Sequence, residues 1–336
     1  MATAPTRELK RSARLQISRG MKTVLAGTII LYIASAFFAP TSISKVAQMG
    51  MLPFAACLAI VGLGQTLVIQ QGGIDLSVAG AVSLTVVIVT WGPDRNDDRL
   101  LPAVAAAFGA AIITGLVNGF LVTKTKLNSI VATLGVNALL YGVMMGLSGG
   151  SPRRTTERLS HFANDKTFGL PHSIYFGIIL TIVVTVLLKR TVFGRRFEAV
   201  GANPRAAHAT GLKIIRYQIG AYVCAQILYC AAGVILGGVI SQPTAYQGDD
   251  YVLPSVAIVV LGGTSLLGGR GFPAASALAA LFLKQLDMFV LSLGVPYGVR
   301  TIVISVSLML GIALYAVNWK SSNFSFKKPD KELQLV

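Results

Sequence analysis

The sequence predicts an all-α polytopic transmembrane bundle of about ten spans, each near the roughly 20 apolar residues that a bilayer crossing needs, with N-terminus and C-terminus both cytoplasmic. Three observations lead there. Of 336 residues, 54% are apolar and only 12% charged, whereas a soluble domain carries about a quarter charged. The apolar residues gather into runs separated by short polar stretches. The 29 Lys and Arg outnumber the 13 Asp and Glu, an excess that could signal nucleic acid. They are sorted by the runs instead of forming a basic domain, so no nucleic-acid partner is expected.

The first run, 21–39, follows a basic tail and imitates a secretory signal. It is longer than a typical signal core, and its small-residue triplet Ala34-Ser35-Ala36 lies inside the run, so an uncleaved span is expected. The second, 51–69, is apolar apart from Gly64-Gln65-Thr66, and a polar break separates it from the third, 76–91. Runs 101–122 and 130–147 each carry one amide, Asn118 and Asn137, while 174–188 is apolar throughout. Runs 214–240 and 252–267 follow, then 272–293 with Lys284 and Asp287 three residues apart, and lastly 299–317. That spacing suggests an ion pair neutralised within the span. Gly115-x-x-x-Gly119 and Gly233-x-x-x-Gly237 are small-residue seams suited to close helix contact. Cys57, Cys224 and Cys230 fall within spans and read as buried thiols, and neither they nor the scattered His161, His172 and His208 form a metal pattern.

With the N-terminus inside, alternation puts 20 of the 29 bases on the cytoplasmic side, among them Arg7 to Lys22, Lys124, Lys126, the 189–216 stretch and Arg270. This is the positive-inside bias. The chain then divides into a cytoplasmic basic tail 1–20, a single membrane domain 21–318 with a cytoplasmic loop at about 189–213, and a cytoplasmic tail 319–336.

Two breaks interrupt the spans. The first reads Gln70-Gln71-Gly72-Gly73-Ile74-Asp75-Leu76-Ser77, the second Gly262-Gly263-Thr264-Ser265 and then Gly268-Gly269-Arg270-Gly271-Phe272-Pro273. Interruptions in comparable places of two halves point to a transporter's central pathway, and tight turns between helices are the plainer account. Gln65, Thr66, Gln70, Asp75, Asn118 and Asn137 are the candidate pathway residues. Asp75 is equally suited to capping the helix that follows, and the two asparagines to bonding between helices.

The cytoplasmic loop has its own design. Asn203 is a good N-cap, Pro204 suits the first helical position and Gly211 a stop, which predicts a helix of about two turns off the membrane. A helix so short is marginal alone in water and needs something to pack on, either its own membrane domain or another subunit.

The stretch 65–78 with Gly73-Ile74-Asp75-Leu76-Ser77-Val78, the 193–212 loop, and Leu261-Gly262-Gly263-Thr264-Ser265-Leu266-Leu267-Gly268-Gly269-Arg270-Gly271 together resemble the permease subunits of bacterial ATP-binding cassette (ABC) importers for monosaccharides, the ribose, xylose and arabinose type, over residues 50–318. The resemblance implies an inner-membrane subunit paired with a second permease copy or paralogue, two ABC ATPases and an extracytoplasmic sugar-binding protein. It makes 204–210 the coupling helix, with Glu198, Gly201, Asn203 and Gly211 matching the loop motif and Arg195, Arg196, Pro204, Arg205 and Ala207 beside them facing the ATPase. No Gly-x-x-x-x-Gly-Lys-Ser/Thr phosphate loop occurs in the chain. It is therefore expected to bind no cofactor and to be no enzyme, with ATP and Mg used by the partner ATPase. The alternatives are an ion-coupled secondary transporter, an ABC permease for a non-sugar small cargo such as a polyol or a furanose-like signal molecule, and an intramembrane enzyme.

Overall fold

The computed structural model describes residues 19–309 apart from 152, 297, 304, 307 and 308. The tails and most of the expected tenth span lie outside the described residues. In chain order the helices are α1 (Arg19–Phe38), α2 (Lys45–Gln70), α3 (Val78–Trp91), α4 (Leu100–Thr123), α5 (Ser129–Ser148), α6 (Glu157–Asn164), α7 (His172–Arg190), α8 (Val192–Ala202), α9 (Pro204–Ala209), α10 (Ile214–Val239), α11 (Val252–Leu261) and α12 (Pro273–Ser292). Seven of them, α1, α2, α4, α5, α7, α10 and α12, are long and apolar enough to cross a membrane, and the protein is an all-α polytopic membrane protein. A two-stranded hairpin, Lys166–Thr167 against Leu170–Pro171, joins α6 to α7.

Packing is inside-out relative to a soluble bundle. Large apolar side chains such as Ile30, Phe37, Ile113, Leu139 and Ile182 face outward, while polar ones such as Gln65, Asp75, Asn118 and Gln226 are wholly buried. Helix α2 is the central post, with 89% of its most apolar window buried against 22% for α1. Both small-residue seams serve as close contacts. A Cβ on Gly115 would stand 2.5 Å from Val223 Cα and one on Gly119 2.9 Å from Ile219 Cα, so α4 lies backbone to backbone on α10. Gly233 and Gly237 on α10 make room for the side chains of Thr85 and Val89 of α3, at 2.7 and 3.0 Å from where a Cβ would stand. Where lipid is as apolar as Leu, close van der Waals contact of this kind is what holds helices together.

The first break becomes an irregular stretch between α2 and α3, bonded to α5. The stretch leading into α3 and the start of α3 run alongside α5 in the same direction, because Ile74 N–H bonds Ser129 Oγ (3.2 Å), Leu76 N–H bonds Thr133 Oγ1 (2.9 Å) and Gly80 N–H bonds Asn137 Oδ1 (2.7 Å). Residues 129, 133 and 137 form one stripe of α5 at four-residue spacing, so a single helix face supplies the acceptors that the non-helical backbone lacks. The next residue of the stripe, Tyr141, donates its hydroxyl to Asp249.

Asp249 belongs to a second re-entry that the sequence reading did not place. After α10 the chain returns irregularly through 240–248, and Gly248 N–H bonds Ser83 Oγ of α3 at 2.9 Å. The expected span 252–267 is therefore corrected: its helix covers only Val252–Leu261, about 15 Å at 1.5 Å per residue. The irregular segment 240–248 and the helical turn Asp249–Tyr251 precede that helix, and 262–272 forms the break after it.

Two further expectations are corrected. Asp287 pairs with Arg300 through two contacts of 2.6 and 2.5 Å, not with Lys284. The bidentate guanidinium fits the carboxylate, while the Lys284 ammonium lies 5.7 Å over the Tyr251 ring. Cys224 is exposed, unlike the buried Cys57 and Cys230.

A Cβ on Gly248 would stand 2.0 Å from Ala79 O, so Gly248→Val should destabilise the detergent-solubilised protein by about 1–3 kcal/mol or more. Gly142, whose Cβ meets nothing within 4 Å, is the control: Gly142→Ala should stabilise slightly through helix propensity, by up to about 1 kcal/mol. Thermal unfolding followed by size-exclusion chromatography measures both.

Candidate functional site

Beneath the first break lies a closed polar network. Asp75 Oδ1 accepts from Ser77 N–H (2.9 Å) and from Ser77 Oγ (2.6 Å), and Asp75 Oδ2 accepts from Gln226 Nε2 at 3.0 Å. Ser77 Oγ also receives Gln226 Nε2 and Asn118 Nδ2, both at 2.8 Å. The Gln65 amide satisfies both its ends when its nitrogen faces Asp75 O (3.2 Å) and Tyr229 Oη (2.7 Å) and its oxygen faces Asp75 N–H (3.3 Å). α2, the break, α4 and α10 thus meet through side chains that are all fully buried.

The structure brings together Gln65, Asp75 and Asn118 and adds Gln226, Ser77 and Tyr229, which the sequence reading missed. None of them faces open space. Thr66 bonds its own helix at Gly62 O (2.7 Å) and lies 3.2 Å from Ser276 Oγ of α12. Gln70 is fully buried with neither end of its amide hydrogen-bonded among the described residues. Asn137, half-buried, is an acceptor for the start of α3. Asp75 tightens the turn before α3 through Ser77 and does not cap the helix itself. The missed partners left a signal in α10, where Gln226 is the only amide between Tyr222 and Tyr229 of an apolar run.

The two sequence breaks meet each other at the end of the bundle that carries α8 and α9. Gly269 N–H donates to Gln70 O at 2.8 Å. A Cβ on Gly201 would stand 2.0 Å from Gln70 O and 3.0 Å from Gly269 N, so α8 touches both breaks with backbone alone. Gln71 Nε2 donates to Phe197 O of α8 at 2.9 Å, and Phe197 is a buried wedge beside it. At Gly268 and Gly269, φ values of +88° and +83° form the tight turn, a conformation that glycine adopts without steric cost.

Helix α8 itself was not foreseen. After it comes the expected short helix α9, whose Asn203 side chain accepts from Ala206 N–H at 3.0 Å with Pro204 first and Gly211 at φ +80°. Arg195, Arg196, Pro204 and Arg205 face outward, Glu198 lies 3.6 Å from Lys189 in a half-exposed pair, and Gly201 is buried. Ala207 is corrected from a surface position to an inward anchor, 5% exposed; His208, on the next position, points out. Beside α9, a cleft of about 320 Å³ is lined by Phe193, Arg196, Lys213, Arg216 and Tyr217, giving this end a basic and aromatic face.

Because the Asp75 carboxylate is buried, Gln226→Leu should cost about 1–3 kcal/mol by stripping one of its donors. Asp75→Asn combined with Gln226→Leu should cost less than the sum of the two single changes. Chemical unfolding in detergent of the four proteins measures the coupling; additive costs would mean that the two side chains act independently.

No solved structure matches the chain. The chain is 31% identical over 293 residues to the ribose import permease protein RbsC of Bacillus subtilis, covering 86% of this chain and 90% of the relative. It is 34% identical over 263 residues to the protein of the same name from Escherichia coli K12, covering 76% and 80%. The autoinducer 2 import system permease protein LsrD of Photorhabdus temperata is 27% identical over 267 residues, covering 76% and 79%. Residues 49–317, which hold both breaks, the buried network and the α8–α9 loop, match the family described as branched-chain amino acid transport system / permease component, and the chain belongs to that family.

Proposed function

We infer that the chain is the membrane permease subunit of a bacterial ABC importer for a monosaccharide, a multi-pass inner-membrane protein driven by ATP hydrolysis in partner chains. The observation that carries this is the match to ribose import permeases at 31 and 34% identity over most of both chains. Autoinducer 2 import permeases at 27% and 29% support keeping a small furanose-like signal as the alternative cargo of the same machine. A permease needs no ATP site of its own, in keeping with a sequence that has no phosphate loop.

In this reading the chain crosses the membrane ten times with both termini cytoplasmic. The seven long helices, α3 and the pair of 240–251 with α11 make nine crossings, and 299–317 the tenth. The end bearing α8 and α9 is cytoplasmic, which agrees with its Arg195, Arg196, Arg205, Lys213 and Arg216. Two ABC ATPases, a second permease copy or paralogue and an extracytoplasmic sugar-binding protein complete the assembly.

The mechanism follows from the backbone contacts. An ATPase grips α9, held on its inner side by Ala207, and moves it when ATP brings the ATPases together. α8 carries that displacement to the Gln70 and Gly269 backbones through Gly201, with no flexible side chain in between. Since Gln70 ends the central α2 and Gly269 leads into α12, both sides of the membrane core shift together, and the path opens alternately to either face. The enclosed Gln65, Thr66, Gln70, Asp75 and Asn118 either form or flank that path when it opens, with Gln70 free to find a partner in the other state.

Arg205→Cys or His208→Cys should form a disulfide crosslink to a cysteine-bearing copurified ABC ATPase, and Ala207→Cys should crosslink at least about tenfold more slowly because it points inward. No crosslink at 205 or 208 sinks the coupling assignment. In vesicles carrying the assembled transporter and binding protein, uptake of labelled D-ribose should require ATP and survive dissipation of the proton and sodium gradients. Uptake driven by an ion gradient without ATP would establish the secondary-transporter reading instead.

A further inference from the structure

At the middle of the bundle a group of polar and aromatic side chains faces outward, and neither the buried network nor the coupling end accounts for it. Tyr141 is twelve residues into the twenty of α5, about 18 Å along a helix of about 30 Å. Its hydroxyl holds Asp249, and its ring meets Tyr246 edge-on with centroids 5.2 Å apart. Tyr246 is 47% exposed. Gln247 Nε2 donates to Thr244 Oγ1 at 2.8 Å, leaving its carbonyl oxygen free among the described residues. Asp249 and Asp250 are both exposed. Apart from Tyr141 on α5, they sit on the 240–251 re-entry, whose level is fixed by the Gly248 bond to Ser83 in α3.

Exposed carboxylates and non-helical backbone at that depth are tolerated only where they meet protein or line a water-filled space. The acids are the first two residues of the helical turn that leads into α11, where a negative charge suits the helix dipole. That explains a carboxylate there but leaves Tyr246 and Gln247 unexplained, since neither caps anything and both add polar or aromatic surface outside the core. The lipid-facing residues of α5, such as Leu139 at 68% exposure, are aliphatic, so the re-entry forms a distinct chemical face beside them.

We propose that Tyr246, Gln247 and Asp249, braced by Tyr141, form the wall that the polyhydroxylated cargo touches as it crosses, a proposal that rests on the sugar-importer reading. The chemistry suits such a ligand. An aromatic ring packs on the C–H face of a sugar, a carboxylate accepts from two neighbouring hydroxyls, and an amide carbonyl accepts from a third. Asp249 has one carboxylate oxygen engaged by Tyr141 and the other available. Each contact is weak alone and the wall is open, which allows release. The same groups would discriminate cargo by ring size and hydroxyl arrangement within the permease, downstream of the binding protein.

Two measurements test this. In a full-length Cys224→Ser background in native membranes, Tyr246→Cys and Asp249→Cys should react with a charged, water-soluble methanethiosulfonate at least about tenfold faster than Leu139→Cys at similar depth. Equal or slower reaction shows that the wall is dry and overturns the proposal. In vesicles with the assembled transporter and binding protein, Tyr246→Leu and Asp249→Asn should lower uptake per ATP hydrolysed at least about tenfold. They should also change the relative uptake of D-ribose, D-xylose and D-glucose, while Tyr246→Phe keeps the wild-type ratio. Unaltered uptake and selectivity overturn the proposal. If the unmodified transporter moves none of these sugars with ATP, the importer reading fails instead, and the labelling result alone decides whether the wall is aqueous.

Discussion

The structure depends on a single constraint: inside a bilayer core, backbone that leaves the helix is tolerated only where protein seals it or it lines a water-filled space. Helix α5 does most of the sealing. Its stripe at 129, 133 and 137 accepts the N–H groups of Ile74, Leu76 and Gly80, and Tyr141, one turn further, secures the second re-entry at Asp249. Each bond adds only about 1 kcal/mol net, but an unmade one would cost about 1–3 kcal/mol for a buried group. The stripe is therefore best understood as what makes the breaks admissible rather than as a large source of stability.

Around that ladder the molecule separates two kinds of contact. Away from α8 the contacts rely on side chains: the Asp287 and Arg300 pair, the Gln48, Gln285 and Ser35 amide chain, and the Tyr141 link. At the α8 end, glycines let backbone touch backbone at Gly201, Gln70 and Gly269. Side-chain contacts can rotate or re-pair when helices shift, whereas backbone contacts move as one piece. The arrangement is stiff where a partner would push and adaptable where cargo would pass.

The parts legible in the sequence were those fixed by local chemistry. Asn203, Pro204 and Gly211 specify α9 because a cap, a first-turn proline and a left-handed stop act within a few residues. The glycine seams at 115, 119, 233 and 237 could be read as contacts, though not which helix each would meet. What escaped was decided by distant partners. Lys284 and Asp287 share a helix face by spacing, yet Arg300 from beyond the turn claims the carboxylate with a better-fitting group. The polar segment 240–251 looked like an ordinary loop because hydropathy does not distinguish a loop on the surface from one that packs back onto the bundle, as Gly248 does on Ser83 of α3. The repeat of Ser129, Thr133, Asn137 and Tyr141 at intervals of four was in plain view, but its meaning required knowing that unpaired backbone lay opposite.

That interval has an evolutionary consequence. A residue inserted into α5 between Asn137 and Tyr141 would rotate everything beyond it by about 100°, one step of a helix with 3.6 residues per turn. The first re-entry would stay fastened while the second came loose. α5 works as a ruler shared by two separate parts of the fold, and its spacing is held by both at once.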